Sequence, residues 1–94
     1  MAYSFYSHVT VAPDVLFRFV GEETVLLHLK RETYLGLDTT GTRMWNLLTE
    51  APSIQAAYHT LLQEYEVEPA RLREDLDVFL DQLVEQGLIE VGSQ

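Results

Sequence analysis

Three histidines and a row of carboxylates are the side chains of this sequence that could perform metal or acid–base chemistry. No histidine stands three or four residues from another, and none belongs to a metal-binding motif such as H-E-x-x-H. A histidine that lies beside leucines on a strand, as His28 does, is typically a hydrogen-bonded imidazole. The sequence therefore predicts no metal site.

The carboxylates could serve general acid–base catalysis if two of them shared one pocket. Five of them fall within one predicted helix: Glu74, Asp75, Asp77, Asp81 and Glu85. Charged residues at this spacing are more typical of a solvated helix face. The chain also has no cysteine, no G-x-S-x-G nucleophile elbow and no glycine-rich phosphate loop. These patterns favour a protein that is not an enzyme and that binds no cofactor.

The elements that position any functional residues are expected to form one domain over residues 1–94. Of the 94 residues, 47% are hydrophobic and 11% aromatic, which is enough for one core without disulfides. The net charge of −9 disfavours nucleic acids and anionic membranes as partners. Most of the acids lie between Glu64 and Glu90, and such a surface favours a basic or neutral peptide. Because no signal peptide or membrane-spanning stretch is recognisable, we expect a cytoplasmic protein.

The first forty residues are rich in β-branched and aromatic residues, which favour strands. Strands are predicted at residues 15–20, 24–29 and 33–37, and short polar turns separate them. Strands joined by such short turns form an antiparallel meander.

The rest of the chain has the 3.6-residue periodicity of three helices. Asp38, Thr39 and Thr40 are three candidate N-caps for the first helix, Ser53 can cap the second, and Pro69 suits the start of the third. Gly87 is placed to end the third helix, and residues 88–91 form either a short strand or a buried extension. Three strands followed by three helices predict a winged helix-turn-helix-like α+β fold, with a three-stranded antiparallel sheet and the helices on one side.

The third predicted strand, Thr33–Leu37, lies at an edge of this sheet and has none of the charges that usually protect an edge. Gly36 leaves room for a second backbone to approach closely. An edge of this kind can accept an extra strand from a peptide. A bulge, or an edge covered by the terminal segments, is the structural alternative.

The third helix has a mixed margin beside its buried stripe, whose centre is formed by Leu72, Leu76, Leu80 and Leu83. Phe79, Asp75 and Gln82 stand next to that stripe, and an aromatic, an acid and an amide together suit the wall of a groove. The alternative is that Phe79 simply completes the core.

Two runs of this sequence resemble PqqD-like proteins, which recognise the leader segments of ribosomally synthesised and modified peptides. The first is the strand-to-helix run over residues 34–48, with the form Y-L-G-L…G…W, and the second covers residues 75–89. The resemblance extends over residues 15–89 and is closest to the standalone leader-binding proteins of lasso-peptide biosynthesis.

The resemblance implies a non-catalytic domain that binds a leader as an added strand on the third strand, in a cleft closed by the third helix. It also implies that the domain delivers the precursor to a separate leader peptidase. By this analogy the residues that pair with the leader backbone are Thr33, Tyr34, Leu35, Gly36 and Leu37. The residues implied to form side-chain pockets are Leu72, Asp75, Leu76, Phe79 and Gln82, with Asp75 a partner for a leader lysine. Residues 1–14 lie outside the pattern, and three roles stay open for them: packing on the free edge of the first strand, binding the peptidase, or forming a loosely attached N-terminal arm.

Two other functions use the same elements. A small acidic domain could dock onto a larger enzyme as a structural subunit without holding a peptide. A winged-helix DNA-binding protein would place the third helix against phosphates, which its five carboxylates oppose. The first alternative stays open at this level, and the second is disfavoured.

Overall fold

The computed structural model describes residues 3–92, which form a small α+β fold. The elements in chain order are β1 (His8–Val11), β2 (Val15–Val20), β3 (Glu23–His28), β4 (Thr33–Leu37), α1 (Thr39–Glu50), α2 (Ile54–Glu64), α3 (Pro69–Glu85) and β5 (Ile89–Gly92).

The three predicted strands are confirmed as the antiparallel sheet β2–β3–β4. The β2–β3 turn contains Gly21 at a φ of 65°, a left-handed conformation that glycine adopts without strain. The β3–β4 turn instead contains Glu32 at a φ of 56°. The short turns fix the register, so that Leu27 on β3 lies between Leu16 on β2 and Tyr34 on β4.

The N-terminal residues that the structure describes, 3–14, are held by backbone pairing and do not form a loose arm. β1 pairs with β5 in a second, antiparallel sheet, in which Val9 lies opposite Val91. The preceding segment supplies acceptors for the first turn of α2, since the Ile54 N–H donates to the Ser7 carbonyl at 2.8 Å and the Gln55 N–H to the Phe5 carbonyl at 2.7 Å. This segment therefore belongs to the domain.

The predicted caps are also present. The Asp38 carboxylate accepts a hydrogen bond from the Gly41 N–H at 2.8 Å, and the Ser53 hydroxyl accepts one from the Ala56 N–H at 3.1 Å. Each satisfies a donor that the first turn of a helix leaves unpaired. Asp38 follows directly on β4, so that one residue ends the edge strand and begins α1.

The helices cover one face of the β2–β3–β4 sheet. Trp45 of α1 is fully buried and packs edge-to-face against Phe17 of β2, with ring centres 5.7 Å apart. A buried hydrogen bond of 2.8 Å between the hydroxyls of Thr24 and Thr42 joins β3 to the same helix. The winged helix-turn-helix-like α+β class is thereby confirmed, and the helices lie behind the edge strand β4.

An ion pair joins α1 to α2 and provides a pH-dependent contribution to stability. The Arg43 Nε–H donates to a Glu64 carboxylate oxygen at 2.8 Å, and this hydrogen bond holds the pKa of Glu64 below its ordinary value of 4.5. The carboxyl is bound to fewer protons in the folded state, so the contribution is present above the ordinary pKa and is lost as the pH falls through the lowered one.

We therefore expect Arg43→Gln to lower the melting temperature by at most a few degrees at neutral pH, because both side chains are substantially exposed. At a pH well below the lowered pKa of Glu64, the variant and the parent should melt together. Thermal unfolding followed by circular dichroism across this pH range measures the difference. A gap between the two melting temperatures that persists in acid would contradict the assignment.

Candidate functional site

The strand β4 is an open edge of the three-stranded sheet. Within residues 3–92 it pairs with β3 on one side and with no strand on the other. An edge strand carries N–H and C=O groups that point away from the sheet and are free to pair with another chain. The candidate site is built on these groups.

The backbone hydrogen bonds of β3 show which of its residues face each neighbouring strand. The Leu29 N–H donates to the Asp14 carbonyl at 2.9 Å, just beyond the paired ends of β3 and β2. Backbone N–H and C=O groups alternate in direction along an antiparallel strand, so those of Leu27, Val25 and Glu23 point to β2, as those of Leu29 do. The residues between them, which face β4, are Thr24, Leu26 and His28.

The partners of these three residues on β4 are Leu37, Leu35 and Thr33. Their backbone groups are therefore used inside the sheet. Tyr34 and Gly36 lie between them, and their N–H and C=O groups point outward along the open edge. Of the five strand residues implied by the resemblance, these two have the free backbone groups.

A cleft of about 290 Å³ lies between this edge and α3. Its lining residues are Gly36, Leu37, Asp38, Gly41, Phe79 and Gln82. The fold therefore brings the end of β4 against the margin of α3 that the sequence singled out. The opening has a backbone edge on one side and an aromatic ring and an amide on the other, a combination suited to an extended peptide.

The remaining strand residues divide between the two faces of the sheet. Leu35 is partly buried and packs against the core. Tyr34 points to the opposite, uncovered face and is 75% exposed. Thr33 is exposed at the start of β4. A peptide bound along this edge would alternate its side chains between the same two faces.

Two helix residues assigned to pockets lie in the core instead. Leu72 is 3% exposed and Leu76 is 0% exposed. Their side chains pack within the hydrophobic core and are not among the residues that line the cleft. The reason is that residues four apart along a helix lie on the same face, so Leu72 and Leu76 both fall within the buried stripe of α3.

Asp75 has a partner on its own helix. The Arg71 Nε lies 3.5 Å from a carboxylate oxygen of Asp75, one turn away, and both side chains are well exposed. Asp75 is not among the residues that line the cleft.

Two lining residues were not included in the sequence-based site. In the sequence, Asp38 is one of three candidate caps of the first helix, and Gly41 is part of the run that resembles the family. A Cβ on Gly41 would lie 3.3 Å from both the Asp38 carboxylate and the Leu37 side chain, so the glycine permits the tight junction of β4 with α1. The sequence feature that indicates this junction is the short spacing between the end of β4 and the start of α1.

A larger cavity, of about 470 Å³, lies near the end of β2, at the other edge of the sheet. Its residues include Phe19, Thr42, Arg43 and Tyr65, and Arg43 is already held by Glu64. This cavity does not touch α3, and none of the residues implied by the resemblance lines it. Volume alone therefore does not identify the site.

The described residues contain no group of three or more histidine, aspartate or glutamate side chains close enough to share a metal ion. In the same part of the chain, no helix is both long and apolar enough to span a bilayer.

The fold and the open edge together define a small winged-helix-like domain with a strand edge beside a helix. A solved structure with a similar fold is "TbiB1 in Complex with the TbiA(beta) Leader Peptide". It is 34% identical, with a TM-score of 0.81, and the match covers 86% of this chain and 94% of that one. No curated protein matches the chain.

The family described as coenzyme PQQ synthesis protein D, PqqD, matches residues 23–89 of the chain. The chain belongs to the PqqD family. The resemblance seen in the sequence is confirmed at this level, and the matched residues include β3, β4 and all three helices.

Proposed function

We propose that this protein binds the leader segment of a ribosomally synthesised precursor peptide as an added strand on β4. The observation that carries the proposal is the pair of outward-facing backbone positions, Tyr34 and Gly36, beside a cleft walled by Phe79 and Gln82. The similarity to TbiB1, a protein solved with a leader peptide, supports it.

The geometry accounts for affinity and selectivity separately. Each outward residue of β4 offers one donor and one acceptor to the peptide backbone, whatever the peptide sequence. Selectivity then comes from alternate peptide side chains, which enter the cleft next to Phe79 or lie on the outer face next to Tyr34. A leader that is disordered when free loses chain entropy on binding, so we expect moderate affinity.

We further propose that the bound precursor is delivered to a separate leader peptidase in the cytoplasm, in lasso-peptide biosynthesis. The protein itself would catalyse nothing. Its contribution is to raise the effective concentration of the scissile bond near the peptidase, which accelerates cleavage without new catalytic groups.

Fluorescence anisotropy of a labelled leader peptide tests the binding step. The two probes are the leader of a precursor peptide from the genome that encodes this protein and the TbiA(beta) leader. Saturable binding in the micromolar range or tighter, competed by unlabelled peptide, is the expected result. A folded protein that binds neither probe would exclude leader recognition and favour a structural docking subunit. Salt-dependent retention of duplex DNA would instead favour the winged-helix DNA-binding alternative.

Asp75 provides a test of the charge on the margin of α3 that carries Phe79 and Gln82. For a leader with a lysine near this position, Asp75→Asn should weaken binding about threefold, a factor within the range measured for exposed ion pairs. The effect should shrink as salt is added, because screening weakens exposed pairs. Titrations at low and high ionic strength measure it.

Glu74→Gln is the matched control for Asp75→Asn, since it removes one negative charge from the adjacent position of the same helix. Glu74 lies on a different face of α3, away from the margin that carries Phe79 and Gln82. Equal weakening by both variants would show that only the overall charge matters and would remove Asp75 from the site.

A further inference from the structure

One arginine joins the two walls of the cleft at the end where β4 begins. The side chain of Arg31, in the β3–β4 turn, donates from Nη1 to the backbone carbonyl of Glu85, the last residue of α3, at 3.1 Å. The two residues are 54 positions apart in the chain. This hydrogen bond links that turn to α3.

The carbonyl that Arg31 reaches is one that the end of the helix leaves without a backbone donor. The Leu88 N–H donates to the Leu83 carbonyl at 2.9 Å and the Gly87 N–H to the Val84 carbonyl at 3.0 Å, which is the Schellman pattern of a helix end. The Gln86 N–H reaches the Gln82 carbonyl at 3.1 Å. The Glu85 carbonyl accepts no hydrogen bond from these backbone N–H groups. A cation beside it also interacts favourably with the helix dipole.

The local conformations of the helix end and of the β3–β4 turn both allow this contact. Gly87 has a φ of 71°, and a Cβ at this position would lie only 2.8 Å from the Arg31 Cζ, so the missing side chain makes room for the guanidinium. In the turn, the Arg31 N–H donates to the His28 Nδ1 at 3.2 Å. The following residue, Glu32, has the left-handed conformation that leads the chain into β4.

We propose that Arg31 is a positioning residue that fixes the separation of β4 and α3, so that the cleft is already formed before a peptide enters it. β4 starts two residues after Arg31, and Phe79 and Gln82 lie within two turns of Glu85. A wall that is held in place does not have to be ordered during binding, and this raises affinity without a new contact to the peptide. The inference rests on the proposed function of the same cleft.

Titration of the labelled leader with Arg31→Gln tests the proposal. We expect the Kd to rise about fivefold, the factor that corresponds to the loss of one ordinary hydrogen bond. Lys30→Gln is the matched control, because it removes the same charge from the next residue. Lys30 is paired with Asp14 at 3.5 Å, away from α3. Equal effects of the two variants, or no effect of Arg31→Gln, would overturn the proposal.

Gly87→Ala provides an independent test, because the new methyl group displaces the guanidinium without removing it. It should weaken leader binding in the parent protein but add nothing in the Arg31→Gln background, since there is no guanidinium left to displace. Additive losses in Kd would contradict the proposal. The backbone strain at this position affects the free energy of unfolding in both backgrounds, and denaturant unfolding measures it separately.

A measurement without peptide separates this inference from the proposed function. The chain has no cysteine, so spin labels can be attached at Thr33→Cys and Val78→Cys, two exposed positions of which one lies on β4 and the other on α3. The distance distribution between the labels should broaden in Arg31→Gln and stay narrow in Lys30→Gln. An unchanged distribution in Arg31→Gln overturns the inference even if the parent binds the leader. A broadened one supports it even if no leader binds.

Discussion

Replacing Gly36 with proline is expected to weaken leader binding by roughly thirtyfold while the domain stays folded. The Gly36 N–H points outward from the sheet, so proline removes a donor that the peptide needs and that β3 does not use. The peptide carbonyl left without a partner costs about 2 kcal/mol, which gives the thirtyfold factor. Anisotropy titration measures the Kd, and circular dichroism checks the fold.

Gly36→Ala is the control for this variant, because alanine keeps the N–H. A Cβ on Gly36 would meet no atom within 4 Å, so the added methyl group strains nothing in the free protein. We expect its affinity to stay within about threefold of the parent, less than the effect of one hydrogen bond. If the proline variant is folded and binds as well as the alanine variant, the peptide is not an added strand on β4.

Phe5→Ala is expected to destabilise the domain by about 3–5 kcal/mol, the usual cost of removing a buried phenylalanine. The Phe5 side chain is 3% exposed and packs edge-to-face on Tyr58, with ring centres 5.5 Å apart. The Arg73 guanidinium lies 3.9 Å from the centre of the Phe5 ring. A loss of this size is a large part of the total stability of a small domain, so urea unfolding should show a much lower midpoint.

Tyr6→Ala is the matched control for Phe5→Ala, because the adjacent aromatic side chain is 79% exposed. Its effect on the free energy of unfolding should lie within about 0.5 kcal/mol. If both variants unfold at the parent's midpoint, the N-terminal segment does not contribute to the core, and the packing of Phe5 on Tyr58 is wrong.

The parts of the fold that were predictable from the sequence depend on local signals. Turn residues, helix caps and the 3.6-residue stripe of α3 act over a few positions, and the structure has them where the pattern puts them. The open edge was predictable for the same reason, because Thr33–Leu37 lacks the protecting charges. The direction in which the N–H and C=O groups of this strand point was not predictable from the sequence.

The strand register decides which residues of β4 have backbone groups free to pair with a peptide. That register is set by the β2–β3 and β3–β4 hairpins together. From the sequence, Leu35 is the natural position for a proline test because it lies at the middle of the strand. In the structure its N–H faces Leu26 of β3, so Leu35→Pro would break the sheet and not the binding edge. Gly36, one residue along, has the free donor.

The contacts that escaped prediction join residues far apart in the chain. Phe5 meets Tyr58, β1 meets β5, and Arg31 meets the end of α3. The segment His8–Val11 is short and half polar, so its pattern alone does not distinguish a strand from a loop. Its strand conformation is stabilised by a partner more than seventy residues later.

The pairing of β1 with β5 has a consequence for how this domain can be shortened. Each residue of β1 lies opposite a residue of β5, from His8 opposite Gly92 to Val11 opposite Ile89. The two strands form a sheet separate from the one that carries the open edge. Deleting either strand would leave the backbone groups of the other unpaired, so a truncation in one part of the chain disturbs a segment more than seventy residues away.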